Sequence, residues 1–244
     1  MSPPVTAGIL IIGNEILSGK VQDLNSPYLC KELRFLGVEV LRIVTVPDEI
    51  DVIAEQARKL SELCTWVFTS GGVGPTHDDV TIDGVAASHG AVIVFSTRME
   101  ELIRSYYGAQ TNEAHLRMAR IPEGSELLDT PPLKSPQLLF HNIFVFPGVP
   151  ELLRQRFSAL KERFRTEPIH LGQFFLNVEE GQVAATLDAT ISKFSGLMLG
   201  SYPALWNKDY SLKLTLESRD PNELREAMAF LTKRLPESSI LRTE

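Results

Sequence analysis

The sequence predicts an α/β protein: a three-layer α/β/α domain with a mostly parallel sheet, followed by a small α+β domain. Three observations carry this. Residues 5–90 alternate short apolar runs with amphipathic stretches, the pattern of strands covered by crossover helices. The turns that end those runs are glycine-rich or polar, as expected where ligands meet the carboxyl ends of parallel strands. Beyond the hinge-like TEP at 166–168 the order becomes β-α-β-β-α, so the expected domains are 1–166 and 167–244.

Each element follows from its residues. Residues 5–12 form a continuous apolar run, a strand buried on both faces. Residues 25–36 read as a helix, with Leu29, Leu33 and Leu36 on one face and Gly37 as C-cap. A second strand is expected at 38–46. Asp48 then stands where it can cap a helix to Leu63, with Ile50, Ile53, Ala57 and Leu60 inward. Residues 66–69 are a third strand, joined by a glycine turn to a helix over 83–89. Helices follow at 97–107 and 112–119, and a mobile surface loop at the proline-rich TPPLKSP of 130–136. Residues 138–146 read as one strand, running into PGVPE (147–151) and a helix to Phe164. The second domain is read as strand 174–178, helix 181–193, strands 197–202 and 210–216, and helix 221–234.

Composition narrows the function. With 43% hydrophobic and 23% charged residues the chain matches ordinary globular proteins, and a net charge of -7 argues against a general nucleic-acid binder. The apolar run at 8–12 is too short to span a bilayer and no basic segment precedes it, so no membrane association and a cytoplasmic location are expected. Cys30 and Cys64 lack metal-ligand spacing and read as buried thiols in a reducing compartment.

The most informative stretch is TSGGVGPTHDDVT at 69–81. Gly71, Gly72 and Gly74 at a strand-to-helix turn let backbone N–H groups approach an anion closely. Asp78 and Asp79 follow where phosphates would sit, and paired carboxylates beside phosphate imply a divalent cation between them. A metal-assisted site for a nucleotide or pterin phosphate is the first inference. GNEILSG (13–19), QDLN (22–25), VPD (46–48) and PGVP (147–150) end or follow other strands, so four strand exits contribute.

These motifs, with LGSYP at 199–203, resemble the molybdopterin-binding domain family of molybdenum-cofactor biosynthesis. More narrowly, the chain is similar to the branch in competence/damage-inducible protein A and in the N-terminal half of eukaryotic FAD synthase. The resemblance spans almost the whole chain. It implies divalent-metal-dependent pyrophosphate hydrolysis, FAD to FMN and AMP preferred and ADP-ribose next, with Co2+, Mn2+ or Mg2+ and K+ as cofactors. Asp79 and Asp78 would be catalytic, and Asp79, Asp78, Asp48 and Asp23 would hold the metal. Ser70, Gly71, Gly72, Gly74, Thr76, Gly13, Glu15, Asn25, Gly148 and Pro150 would bind the phosphate or nucleotide. The ligand class is a dinucleotide or a pterin, and self-association is expected. Asn14 stands where the family commonly has Asp, which removes one charge from any metal site there. No FAD-synthesising or amidase module falls within these motifs, so neither activity is expected of residues 1–244.

Plainer readings stand beside these. Asp23 and Asp48 precede helices and are explained by capping alone. His77 is a lone loop imidazole, and His89, His115, His141 and His170 are scattered structural or surface residues. Tyr202, Trp206 and Tyr210 either stack a flat ring or fill the core of the small domain. The arginines and lysines at 154–165 are a solvated helix face. The rival functions are a non-catalytic pterin- or nucleotide-binding or regulatory domain of an FAD synthase-like protein, and a molybdopterin adenylyltransferase.

Overall fold

The computed structural model describes residues 4–244, and the chain falls into two compact units, Met1–Thr166 and Glu167–Glu244. The first contains β1 (Thr6–Ile12), α1 (Asn14–Leu17), α2 (Asn25–Phe35), β2 (Glu39–Val46), α3 (Ile50–Leu63), β3 (Trp66–Ser70) and α4 (Thr81–Ser88). It continues with β4 (Ile93–Phe95), α5 (Thr97–Tyr107), α6 (Glu113–Arg117), β5 (Arg120–Pro122), β6 (Glu126–Leu128), β7 (Gln137–Phe140), β8 (Ile143–Phe146) and α7 (Pro150–Leu160).

The central sheet has the order β2-β1-β3-β8-β7-β6. β1 pairs in parallel with β2 and β3, and β3 with β8, whereas β7 and β6 add antiparallel. Period-2 alternation sends β1 into both faces. Ala7, Ile9 and Ile11 meet Leu29 and Leu33 of α2 and Leu153 and Phe157 of α7. Leu10 and Ile12 meet Ile53, Ala57 and Leu60 of α3 and Val85 of α4. Two helical layers enclosing a mostly parallel sheet are the expected architecture. The first face is aromatic: Phe68 stacks on Phe144 at 5.7 Å between centroids and meets Phe164 edge-on at 5.0 Å. Gly8 lets α3 lie close, since a Cβ there would be 2.9 Å from Leu60 Cδ2.

Four sequence expectations are corrected. Residues 138–146 are a hairpin, β7 and β8, rather than one strand: His141 takes a left-handed turn at φ 52 and the chain doubles back. Short strands at 93–95, 120–122 and 126–128 were not anticipated. Ile50 is 41% exposed, because it begins α3 at the outer edge of the layer. Within the proline-rich loop, Thr130 is buried.

The second unit has β9 (His170–Leu176), α8 (Glu180–Lys193), β10 (Met198–Pro203), β11 (Leu212–Ser218), α9 (Pro221–Thr232) and β12 (Ile240–Thr243). Its antiparallel sheet runs β10-β11-β9-β12, a split β-α-β arrangement. Strand β12, absent from the expected β-α-β-β-α order, pairs with β9 and completes it. Leu212, Leu214 and Leu216 alternate onto the helices, meeting Val183, Leu187, Leu224 and Leu231. Trp206 is 94% exposed and Tyr202 56%, so neither fills this core; Tyr210 meets Phe175 edge-on at 5.0 Å.

Candidate functional site

Close backbone approach shapes the carboxyl end of the central sheet. Gly71 leaves β3 at φ 110, and a Cβ there would stand 2.0 Å from the Ile12 carbonyl oxygen at the end of β1. No other residue fits without moving a strand. Gly72 turns left-handed at φ 62, where a Cβ would lie 2.4 Å from Thr81 Oγ1. Thr81 fixes the turn to α4: its hydroxyl donates to the Gly71 carbonyl (2.8 Å) and its N–H to that of Gly72 (3.0 Å). Gly148, just beyond β8, lies against this turn, and a Cβ on it would be 3.2 Å from Gly71 Cα. Among the described residues, the N–H groups of Gly72, Val73 and Gly74 have no partner in the chain, so they are available to an acceptor.

Asn25 ties the exits together. It opens α2, is 6% exposed, and its Nδ2 donates to Ser70 Oγ (2.8 Å) and to the Gly148 carbonyl (2.7 Å). Its Oδ1 is buried without a partner. Ser70 is 2% exposed, and its hydroxyl also faces the Pro147 carbonyl at 3.4 Å. Ser70 is thus a brace within the wall rather than an exposed phosphate ligand. Beside it lies a cavity of about 80 Å³ lined by Glu15, Asp23, Asn25, Ser70, Gly148 and Pro150, together with apolar residues of β1 and of the loop before α2. Pro150 opens α7, where its missing N–H costs nothing. Gly13 donates to the Val46 carbonyl (3.1 Å), so β1 and β2 leave the sheet together.

The carboxylates are dispersed. Asp23 Oδ1 accepts from the N–H groups of Asn25 (2.9 Å) and Ser26 (3.0 Å), and its Oδ2 from the Ser26 hydroxyl, so it caps α2. Asp48 does not cap α3; its Oδ2 accepts from the Asn14 N–H at 2.8 Å, linking the exits of β2 and β1. Asp79 folds back on its own turn, accepting from the N–H (2.8 Å) and hydroxyl of Thr76. Gly74 leaves room for that carboxylate, since a Cβ there would meet Asp79 Oδ2 at 2.6 Å. Asp78 is exposed, with His77, itself 94% exposed, 3.9 Å away. Among the described residues no three His, Cys, Asp or Glu side chains gather as a metal-binding group. A protein-only cage from Asp23, Asp48, Asp78 and Asp79 therefore does not fit this arrangement: both Asp23 oxygens cap α2 and one Asp48 oxygen holds the Asn14 N–H. Burial, with Asp23 nearby, pushes the Cys30 thiol up, in keeping with an unreactive role. No helix among the described residues is long and apolar enough to cross a membrane.

A family model described as "Probable molybdopterin binding domain" matches residues 8–166. The chain belongs to this molybdopterin-binding family. A second model, "FAD synthase, middle domain", matches residues 168–244. A protein of Archaeoglobus fulgidus is 31% identical over 220 residues, covering 90% of this chain and 93% of that one. A "Probable FAD synthase" of Caenorhabditis briggsae is 30% identical over 258 residues, covering 94% of this chain and 49% of that protein. This molybdopterin-binding-family chain thus spans about half the length of that FAD synthase. The crystal structure of the protein CinA, "with unknown function", from Thermoplasma acidophilum superposes with a TM-score of 0.60 at 28% identity, over 66% of this chain and 99% of that one. The expected relationship to the FAD synthase and CinA branch is therefore met.

Of the ten residues that sequence reasoning assigned to phosphate or nucleotide, Glu15, Asn25, Ser70, Gly148 and Pro150 line the cavity, whereas Gly13, Gly71, Gly72, Gly74 and Thr76 do not. That reasoning missed Thr81, which locks the turn through two hydrogen bonds; the signal was a threonine at the first position of the helix that the glycine-containing stretch leads into.

Proposed function

We propose that the first unit binds a phosphate-bearing pterin or nucleotide across the exits of β1, β3 and β8, as the binding domain of an FAD synthase-like protein. The observation that carries this reading is the turn at Gly71 and Gly72. Its backbone is forced against β1 and leaves the N–H groups of Gly72, Val73 and Gly74 open to an anion. The molybdopterin-binding family match and the FAD synthase relative support the ligand class. Asn25 and Ser70 brace the turn, and a small cavity adjoins them.

A second reading keeps hydrolysis of FAD to FMN and AMP, or of ADP-ribose, with a divalent cation. Asp78 and Asp79 support it, because they sit in the same turn as the open N–H groups. One experiment separates the readings. FAD and ADP-ribose are incubated with pure protein with and without Co2+, Mn2+ or Mg2+, and the mixture is chromatographed. The binding reading expects both to be recovered intact while protecting the protein against heat. AMP appearing only with metal would replace it with the hydrolase, and in a parallel incubation with ATP and a pterin phosphate an adenylylated pterin would replace it with a transferase.

A further inference from the structure

Arg156, on α7, departs from the solvated face expected of that helix. It is half-buried, and its guanidinium faces the proline-rich loop that joins β6 to β7. Nη1 donates to the Pro136 carbonyl (3.0 Å) and Nη2 to the Ser135 hydroxyl oxygen (2.7 Å). Among the described residues no carboxylate pairs with it, whereas Lys161, further along the chain, pairs with Glu32 at 3.3 Å. A cation drawn out of water is stabilised less by neutral oxygens than by an anion. Burial accordingly holds this guanidinium below its usual value. The loop has a place for an anion. Ser135 is half-buried, precedes Pro136, follows the exposed Lys134, and its hydroxyl donates to no group among the described residues. The loop's other hydroxyl-proline pair, Thr130 and Pro131, is closed off: Thr130 is 2% exposed and its hydroxyl donates to the Ser135 carbonyl at 3.3 Å. The loop lies at the sheet end from which β8 leaves for Gly148, since Leu138 pairs with Val145 and the Gln137 side chain donates to the Val145 carbonyl at 2.6 Å.

We infer that Ser135 is a phosphorylation site and that Arg156 is the built-in receiver of its phosphate. A protein kinase selective for serine before proline supplies the group from ATP. Ser135 Oγ forms a bond to the γ-phosphorus, the bond from that phosphorus to ADP breaks, and the hydroxyl proton passes to the base of the kinase. Modification adds three acceptor oxygens and about two negative charges to an atom already in contact with Nη2. The planar guanidinium then holds phosphate through paired N–H donors in place of one neutral hydroxyl. The consequence is a latch. Unmodified, the loop is held to α7 by hydrogen bonds to neutral oxygens. Modified, it is clamped by charge to the helix whose first residue, Pro150, lines the cavity at the strand exits. The latch stands whatever the glycine turn binds.

The test treats the full chain, and separately a peptide of residues 128–140, with a Ser-Pro-directed protein kinase and magnesium ATP. Mass spectrometry should place one phosphate on Ser135 of the folded chain and none on Thr130. The phosphorus resonance of each product is then followed against pH. Phosphoserine in the peptide loses its second proton at about pH 6. In the folded chain Arg156 favours the dianion, and the midpoint should fall by about half a unit or more. Arg156→Gln should return it to the peptide value. Arg156→Lys, which keeps the charge without the fork and guards against a Gln variant that fails to fold, should retain part of the shift. Labelling of the peptide but not of the folded chain would overturn the modification site. A phosphate on Ser135 that titrates as in the peptide would overturn the role of Arg156. Saturable binding of inorganic phosphate to the unmodified chain, lost in Arg156→Gln, would assign the cation to a free anion instead.

Discussion

Two asparagines at opposite ends of the central sheet serve opposite purposes. Asn142, in the β7–β8 turn, donates to the carbonyls of Ser61 (3.0 Å), Cys64 (2.9 Å) and Thr65 (3.3 Å), and its Oδ1 accepts from the Ser61 hydroxyl (2.6 Å). Every polar atom of that side chain is used to sew α3 and β3 to the hairpin. Asn25 likewise fastens strand exits and lines a cavity, yet it leaves one buried oxygen unpaired. A satisfied buried amide is accounted for by the fold alone, whereas an unsatisfied one calls for a further explanation. The difference separates the end of the sheet that holds the fold from the end proposed to hold a ligand.

The largest effect is expected where the ligand end is built by backbone contact. Gly71→Ala places a methyl group against the Ile12 carbonyl at an unfavourable φ, and should cost about 3 kcal/mol or more in denaturant unfolding of the chain. A loss under about 1 kcal/mol would mean that β1 and β3 are not held this closely.

Next comes the asparagine pair. Asn142→Ala strands three carbonyls and should destabilise by about 2 kcal/mol, with no change in nucleotide affinity per folded molecule. Asn25→Ala should weaken nucleotide binding as well as stability. Equal effects of the two substitutions on binding would erase the contrast between the two ends. A smaller effect is expected from Asp23→Ala, about 1 kcal/mol, since it removes the cap on α2. Circular dichroism at rising temperature would register it, and an unchanged melting curve would show that the cap is dispensable.

The smallest effect is a pH dependence at the structural end. His89 stacks on His141 at 4.3 Å between centroids, and burial, reinforced by His141 and Arg58 against the opposing pull of Glu62, holds its imidazole below the usual value. The unfolded chain therefore takes up this proton first as pH falls. The His89 contribution is complete above the unfolded value near ~6.5 and declines as pH drops through it towards the lower folded value. His89→Gln should flatten that limb of the stability profile, and an identical slope in the variant would assign the loss to other groups.

Much of this was legible in the sequence because burial on two faces leaves continuous apolar runs, as at residues 5–12, and helices leave a 3.6-residue period, as at Leu29 and Leu33. The β7–β8 hairpin was hidden. Its turn, His141 and Asn142, contains neither glycine nor proline, and the flanking residues are apolar without interruption. Strands of three residues such as β4, β5 and β6 are too short for alternation to register. At the site, glycine spacing located the turn, but the roles of the carboxylates depend on which N–H groups fold back onto them. Asp23 and Asp48 look alike in sequence, yet one caps its helix and the other grips Asn14.

The central claim is that an anion lodges on the N–H groups of Gly72, Val73 and Gly74. Amide chemical shifts of isotope-labelled protein, titrated with FAD, ADP-ribose or a pterin phosphate, test it most directly. The expected result is saturable shifts at those three amides and at the Asn25 side-chain amide. Binding that moved resonances elsewhere and left these four in place would contradict it.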